Sequence, residues 1–186
     1  MVTWRIHMKK IASLLLTAAM IIFLTGCSSL PGSDSTEDVI LPENGLAKGE
    51  IGETMRTYWF DLTVNSSFLC SAFSDYTASD GKELLAVEIT LKNTFGETLP
   101  MIDNDFWVQW NEDSDDAFAY PLKAVEAADS NVLPGSYDLD VNESVTGLLL
   151  FEVPNGYTEF AIVYLEVNSA EETGDAFIVH LLPEIQ

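Results

Sequence analysis

Lys82–Asn93 reads Lys-Glu-Leu-Leu-Ala-Val-Glu-Ile-Thr-Leu-Lys-Asn, and within it Leu85, Val87, Ile89 and Leu91 fall on one side while Glu88, Thr90 and Lys92 fall on the other. A period of two puts successive side chains on opposite faces of an extended chain, so this stretch predicts a half-buried β-strand. The same period recurs on both sides of it. Tyr58, Phe60, Leu62 and Val64 make one such face, and Phe106, Val108 and Trp110 another. Val145, Gly147, Leu149, Phe151 and Val153 make a further stripe, ended by Pro154 and Asn155-Gly156, after which Phe160, Ile162 and Tyr164 resume. An Asn-Gly pair between two strand patterns is a strong short-range hairpin signal. Asp175–Leu182, with Phe177, Val179 and Leu181, closes the series. About eight strands separated by turn residues predict an all-β chain folded as an antiparallel β-sandwich. Ser114–Asp129 is the exception, because Ala117, Ala119, Ala124, Ala127 and Ala128 dilute the strand pattern and suit a short helix or a long loop.

Upstream the chain has a different character. Arg5, Lys9 and Lys10 precede an uncharged apolar run, Ile11–Leu24, of 14 residues. That is shorter than the roughly 20 residues a helix needs to span a bilayer and has the order of an export signal. Met8-Lys9-Lys10 would itself begin such a signal. Leu24-Thr25-Gly26-Cys27 then resembles the lipobox of bacterial lipoproteins, which implies a diacylglycerol thioether on Cys27 and cleavage before it. Two acyl chains suffice for stable anchoring, so the expected product is attached to a membrane without crossing it. Residues 27–49, rich in Ser, Pro, Gly and acids, read as a flexible tether. The expected organisation is a signal peptide over 1–26, a lipid-anchored tether over 27–49 and one sandwich domain over 50–186.

Charge narrows the function. Past residue 26 the chain keeps five basic residues (Lys48, Arg56, Lys82, Lys92, Lys123) and thirty acidic ones, a net charge of about −25. Nucleic-acid binding needs a basic patch, and these five residues are scattered singly. The 160 residues from Cys27 onward can bury a core without disulfide staples. With Cys27 committed to lipid, Cys70 is left alone between Leu69 and Ser71, near Phe68 and Phe73, and reads as a small buried hydrophobe.

Gly52-Glu53-Thr54, Lys82 through Asn93, Asp105-Phe106 and Glu143-Ser144-Val145-Thr146-Gly147 running to Phe151-Glu152-Val153-Pro154 occur in the order seen in the telokin-like family of bacterial extracellular domains, which the stretch Gly52–Leu182 resembles. The resemblance implies an immunoglobulin-like sandwich often carried by lipoproteins and related to a secreted mycobacterial antigen, and it carries no catalytic residues. Asn142 stands where that family usually has Gly. Asn tolerates a left-handed backbone, so the turn is expected to be kept.

No catalytic constellation is legible. The one histidine past residue 26, His180, alternates with Val179 and Leu181 and points away from the Phe177 face. One His and one Cys cannot supply a zinc set, and no nucleophile elbow accompanies them. The acids Asp103, Asp105, Glu112, Asp113, Asp115 and Asp116 flank the Phe106–Trp110 pattern, and Asp138, Asp140, Asn142 and Glu143 alternate like the start of a calcium loop without its glycine. A solvated turn guarding a strand edge is the favoured reading of Asn111–Asp116. Among the aromatics Tyr58, Trp59, Trp107, Trp110 and Tyr120, the pair Trp59 and Trp107 falls opposite the apolar stripes and is expected to be exposed. The expectation is a non-enzymatic envelope lipoprotein without a cofactor or nucleic-acid partner, presenting its domain to an unidentified protein or envelope partner. The alternative is an envelope lipoprotein that binds a small ligand or calcium.

Overall fold

The Lys82–Asn93 alternation is the longest strand of a sandwich built from two main sheets, described in a computed structural model over residues 38–111, 114, 116–123, 131–167 and 173–186. In chain order the strands are β1 (Val39–Ile40), β2 (Leu46–Gly49), β3 (Thr54–Arg56), β4 (Phe60–Cys70), β5 (Ala72–Phe73), β6 (Tyr76–Thr77), β7 (Lys82–Asn93), β8 (Leu99–Ile102), β9 (Phe106–Gln109), β10 (Phe118–Ala119), β11 (Ser136–Leu139), β12 (Ser144–Pro154), β13 (Phe160–Val167), β14 (Thr173–Leu181) and β15 (Glu184–Ile185). Among the described residues the one helical element is a 3₁₀ turn at Asp103–Asp105. No described helix is long and apolar enough to cross a membrane.

The first sheet runs β1-β3-β4-β7-β12, with β15 added on β4, and the second runs β10-β9-β13-β14-β2. β8 with β11 and β5 with β6 form two small ribbons. The long pairings are antiparallel as expected, but β1 on β3, β2 on β14 and β15 on β4 are parallel. The chain changes sheets on leaving β1 and on reaching β15, so neither strand is bound by a hairpin to lie antiparallel to its neighbour.

Two expectations change here. Asn155-Gly156 does not close a hairpin, because β12 belongs to the first sheet and β13 to the second. Gly156 takes φ 90° while Asn155 stays outside the positive-φ residues. The type I′ turn that an Asn-Gly pair suits needs positive φ at both positions, and type II′ needs it at the first, so neither fits and the pair instead carries the chain from sheet to sheet. The tether expected over 27–49 is folded in part: β1 and β2 lie within it, Ala47 is buried in the core and Ile40 packs against it. Short apolar pairs among turn residues suffice for edge strands, and the polar composition around them hides them. Residues 1–37, with the expected signal, Cys27 and the first part of the tether, lie outside the described residues, as do 115 and 124–129 of the Ser114–Asp129 region. Phe118–Ala119 within that region is a strand on β9.

The inner faces follow the alternation. Leu85, Val87, Ile89 and Leu91 of β7 meet Phe106, Ile162, Tyr164 and Phe177 of the second sheet in one core cluster, most of them fully buried. Each such aliphatic or aromatic side chain contributes about 1.5–3 kcal/mol by leaving water. In β4 the register against β7 shifts between Val64 and Ser66. Asn65 is the extra residue of this bulge, so Phe60, Leu62 and Val64 point inward before it, and Ser67 and Leu69 after it.

Candidate functional site

β3, β4, β7 and β12 each place two polar residues, two apart, on the outer face of the first sheet: Thr54 and Arg56, Asp61 and Thr63, Thr90 and Lys92, Ser144 and Thr146. The pairing register aligns them. Thr54 stands opposite Thr63, Thr63 opposite Thr90 and Thr90 opposite Thr146, forming a straight row of four threonines. One step along the strands, Arg56 faces Asp61, Asp61 faces Lys92 and Lys92 faces Ser144, a row that alternates in charge. With strands ~4.8 Å apart and ~3.4 Å of rise per residue, the two rows cover roughly 14 Å by 7 Å.

The threonines bond to one another along their row. Thr54 Oγ1 and Thr63 Oγ1 are 2.8 Å apart, as are Thr90 Oγ1 and Thr146 Oγ1, and Asn65 Nδ2 at the bulge donates to Thr90 Oγ1 at 2.9 Å. In the charged row Arg56 holds Asp61 with a two-pronged pair, Nε to Oδ1 at 2.8 Å and Nη2 to Oδ2 at 2.9 Å. Such a fork fixes both planes and is stronger than a single neutral hydrogen bond. Asp61 is buried under its partner, whereas Lys92 is exposed. Between the rows lies a shallow depression of about 270 Å³ lined by Thr54, Asp61, Thr63, Thr90, Lys92 and Ser144. Every lining side chain ends in a hydroxyl, a carboxylate or an ammonium.

The hairpin carrying Arg56 and Asp61 ends in an aromatic tip. Trp59 packs edge-on against Phe95 with ring centroids 4.9 Å apart, and Tyr58 stacks edge-on against Trp59 at 4.8 Å. Thr57 shapes the turn: its Oγ1 accepts from the Phe60 and Trp59 amides and lies 2.9 Å from the Phe60 carbonyl. The buried Glu166 of β13 accepts the Tyr58 amide through Oε1 at 2.6 Å, tying the tip to the second sheet. Asn93, fully buried, donates from Nδ2 to the Glu97 and Leu139 carbonyls and accepts the Phe95 amide, which sets the loop bearing Phe95.

The remaining sequence candidates disperse. Trp59 and Trp107, expected to be exposed, are both half-buried, and they lie apart, Trp107 opposite Val163 in the second sheet. Trp59 is held by Phe95 and the core, a packing the strand alternation does not foretell at a turn. Tyr58 and Tyr120 are the exposed members, at 67% and 51%. Trp110 lies against Tyr157, and Tyr120 against Phe118, so the aromatics form separate groups.

Asp103 and Asp105 share the 3₁₀ turn before β9, and burial pushes both carboxyls above their ordinary range, Asp105 also through the charge of Asp103. Burial, with Asp105 nearby, pushes the Tyr137 phenol up to about 12. Asp116 lies at the far end of that strand, and Glu112, Asp113 and Asp115 fall outside the described residues. Asp140 and Glu143 form a turn: the Asp140 amide donates to Glu143 Oε2 at 2.9 Å, and Asp140 Oδ1 accepts from Thr98 Oγ1. Asn142 takes φ 63° there, the left-handed conformation expected of it. Among the described residues no three Asp, Glu, His or Cys side chains stand together as a metal-ligating group.

His180 is exposed on β14. Cys70 is free and half-buried at the end of β4, and burial, then the charge of Glu83, pushes its thiol up. The two polar rows escape a reading of single strands, because only the register brings four separate pairs together.

No protein-family model matches the chain, and no curated relative matches it either. Among solved structures it is similar to the yjhA protein of Bacillus subtilis, with TM-score 0.54 and 22% identity over 74% of this chain and 99% of that one. It is also similar to a candidate lipoprotein of the same organism, ycdA, with TM-score 0.51 and 18% identity over 69% of this chain. That match spans 38% of ycdA's own length. At these identities the likeness concerns the fold, an all-β sandwich.

Proposed function

We propose that the protein is an envelope lipoprotein, held by a diacylglycerol thioether on Cys27, whose β-sandwich is a non-catalytic recognition module of the telokin-like, immunoglobulin-fold type. The observation that carries the recognition role is the polar half of the outer face of the first sheet, uncovered among the described residues, where β3, β4, β7 and β12 align two rows of hydroxyl and charged side chains. A surface held by long paired strands keeps its geometry on binding, which limits the ordering cost of recognition. The anchor is supported by the Leu24–Cys27 motif after its apolar run, and the family by the left-handed Asn142 before the Glu143–Pro154 segment. The partner is a component of the cell envelope, and a net charge near −25 past residue 26 disfavours nucleic acid.

The small-ligand version of this reading gains from the depression of about 270 Å³, which suits a few polar groups better than a protein surface does. The test is made in cells. Cys27→Ala should move the protein from the membrane pellet to the soluble fraction. A photo-crosslinking residue at Thr63 or Lys92 should capture an envelope component that the same residue at His180 does not. Membrane retention of Cys27→Ala removes the anchor, and equal capture at all three positions removes the recognition face.

A further inference from the structure

We propose that the depression between the two rows binds an acidic saccharide, a polyhydroxylated ligand carrying a carboxylate. The proposal rests on the reading of this face as the recognition surface and adds the chemistry of what it takes. In the Thr54–Thr63 and Thr90–Thr146 pairs either oxygen can be the donor. A hydroxyl has one proton and two lone pairs, so each pair uses one proton internally and leaves a second O–H to donate outward. Flipping the pair changes which oxygen presents that proton. A ligand hydroxyl, which must both donate and accept, is the matching group, and the row repeats the match at strand spacing.

The charged row supplies the second element. Asp61 is held on both oxygens by Arg56, while Lys92 beside it forms no ion pair among the described residues and is exposed. Arg56 and Lys92 are two of the five basic residues past residue 26, and this row is where two share one line of the sheet; Lys82 is paired with Glu152, and Lys48 lies on the second sheet. Asp61 offsets Arg56, so Lys92 is the uncompensated cation of this row, and in a domain this acidic it engages one carboxylate of a hydroxyl-rich ligand at a time.

The test is a titration of the isotope-labelled full chain in detergent micelles with three probes: trigalacturonate, maltotriose and succinate. Trigalacturonate should shift the amides of Thr54, Thr63, Thr90, Lys92 and Ser144, with maltotriose roughly tenfold weaker and succinate weaker still. Lys92→Met should weaken trigalacturonate roughly tenfold, the loss of one charge-assisted contact, and so bring it level with maltotriose. Thr63→Val combined with Thr90→Val should abolish the response to both saccharides while leaving the far-ultraviolet spectrum unchanged. Equal binding of succinate would reduce the site to an anion site and overturn the saccharide; equal binding of maltotriose would overturn the acid. If no probe shifts these residues but crosslinks from Thr63 and Lys92 still capture an envelope component, the ligand class is wrong and the recognition reading stands. If neither is seen, both fall.

Discussion

The outer face of the first sheet has two halves built on the same strands. On β7 the outward positions run Leu84, Ala86, Glu88, Thr90 and Lys92, and on β12 they run Ser144, Thr146, Leu148, Leu150 and Glu152. Leu84, Ala86, Leu148 and Leu150 are buried, the last three in a second apolar cluster covered by Phe73, Tyr76, Leu122 and Val132. Hydrogen bonds hold the cover in place, from the Leu122 amide to the Leu150 carbonyl at 2.7 Å, from the Leu133 amide to the Leu148 carbonyl at 2.9 Å, and from Tyr76 Oη to the Lys123 carbonyl at 2.7 Å. The other half carries the threonine and charged rows and, among the described residues, has no such strap. One pleated surface is thus core at one end and, among the described residues, open at the other, with the Asn65 bulge near the division. The sandwich has a third layer over half of one sheet, and the half left open among the described residues is where the proposed ligand would meet the two rows.

The comparison breaks most severely at Leu150. It is fully buried under the cover, and Leu150→Ala should cost about 2–5 kcal/mol, read by urea unfolding. A cost below about 1 kcal/mol would mean that the cover is loose and the two halves are alike. Gly147 is next. A Cβ there would stand 2.6 Å from Leu133 Cδ2 and 2.7 Å from the Asn131 carbonyl oxygen, and the latter is backbone that cannot rotate away. Gly147→Ala should therefore push the 131–133 strap off β12 and cost about 1–3 kcal/mol, with faster amide exchange at Leu133 and Leu148.

Much of this contrast was present in the chain before folding. The inward faces of β7, β12, β13 and β14 are plain from a period of two, because each strand has one uninterrupted apolar stripe. The doubly buried stretches also left a signal, since Leu84–Val87 and Leu148–Phe151 are continuous apolar runs, the mark of a strand covered on both faces. What covers them was not legible, since the straps come from irregular segments with no periodicity. The rows were hidden for another reason. Thr54 with Arg56 or Ser144 with Thr146 is an ordinary solvent-facing pair on its own strand. Only a register that includes the Asn65 bulge brings all four pairs into line, and register is a long-range property. Asn155-Gly156 misled because the same dipeptide serves a hairpin and a crossing between sheets, and the difference lies in which neighbours β12 and β13 find. Trp59 misled because alternation does not extend into a turn, where Thr57 and Phe95 decide its direction.

The open half should tolerate change. Thr63→Val keeps the β-branched shape and removes one cross-strand hydroxyl contact, so it should cost less than about 1 kcal/mol in urea unfolding. A cost comparable with that of Leu150→Ala would show the row to be structural and would undermine its assignment to binding.

The smallest effect lies at the far edge of the covered half. Glu152 accepts from Lys82 Nζ at 2.7 Å and from the Ser79 amide at 2.9 Å, and the Lys82 hydrogen bond, followed by those of Ser79, holds its carboxyl down at about 2, against an ordinary value of 4.5. A depressed folded-state value means that the unfolded chain takes up the proton first as pH falls. The pair's contribution is therefore whole above about pH 4.5 and drains away towards pH 2. Both partners touch solvent, so the effect is small. Asp103 and Asp105 act with the opposite sign, since their raised values favour the folded state as pH falls. A melt of the wild type alone mixes the two trends. The difference between wild type and Glu152→Gln isolates one carboxylate: the curves should be apart at neutral pH and close on each other between pH 4.5 and 2. Curves that stay parallel through that window would mean that Lys82 and Ser79 do not seal the covered half at this edge, leaving the hydrogen-bonded straps to hold it closed alone.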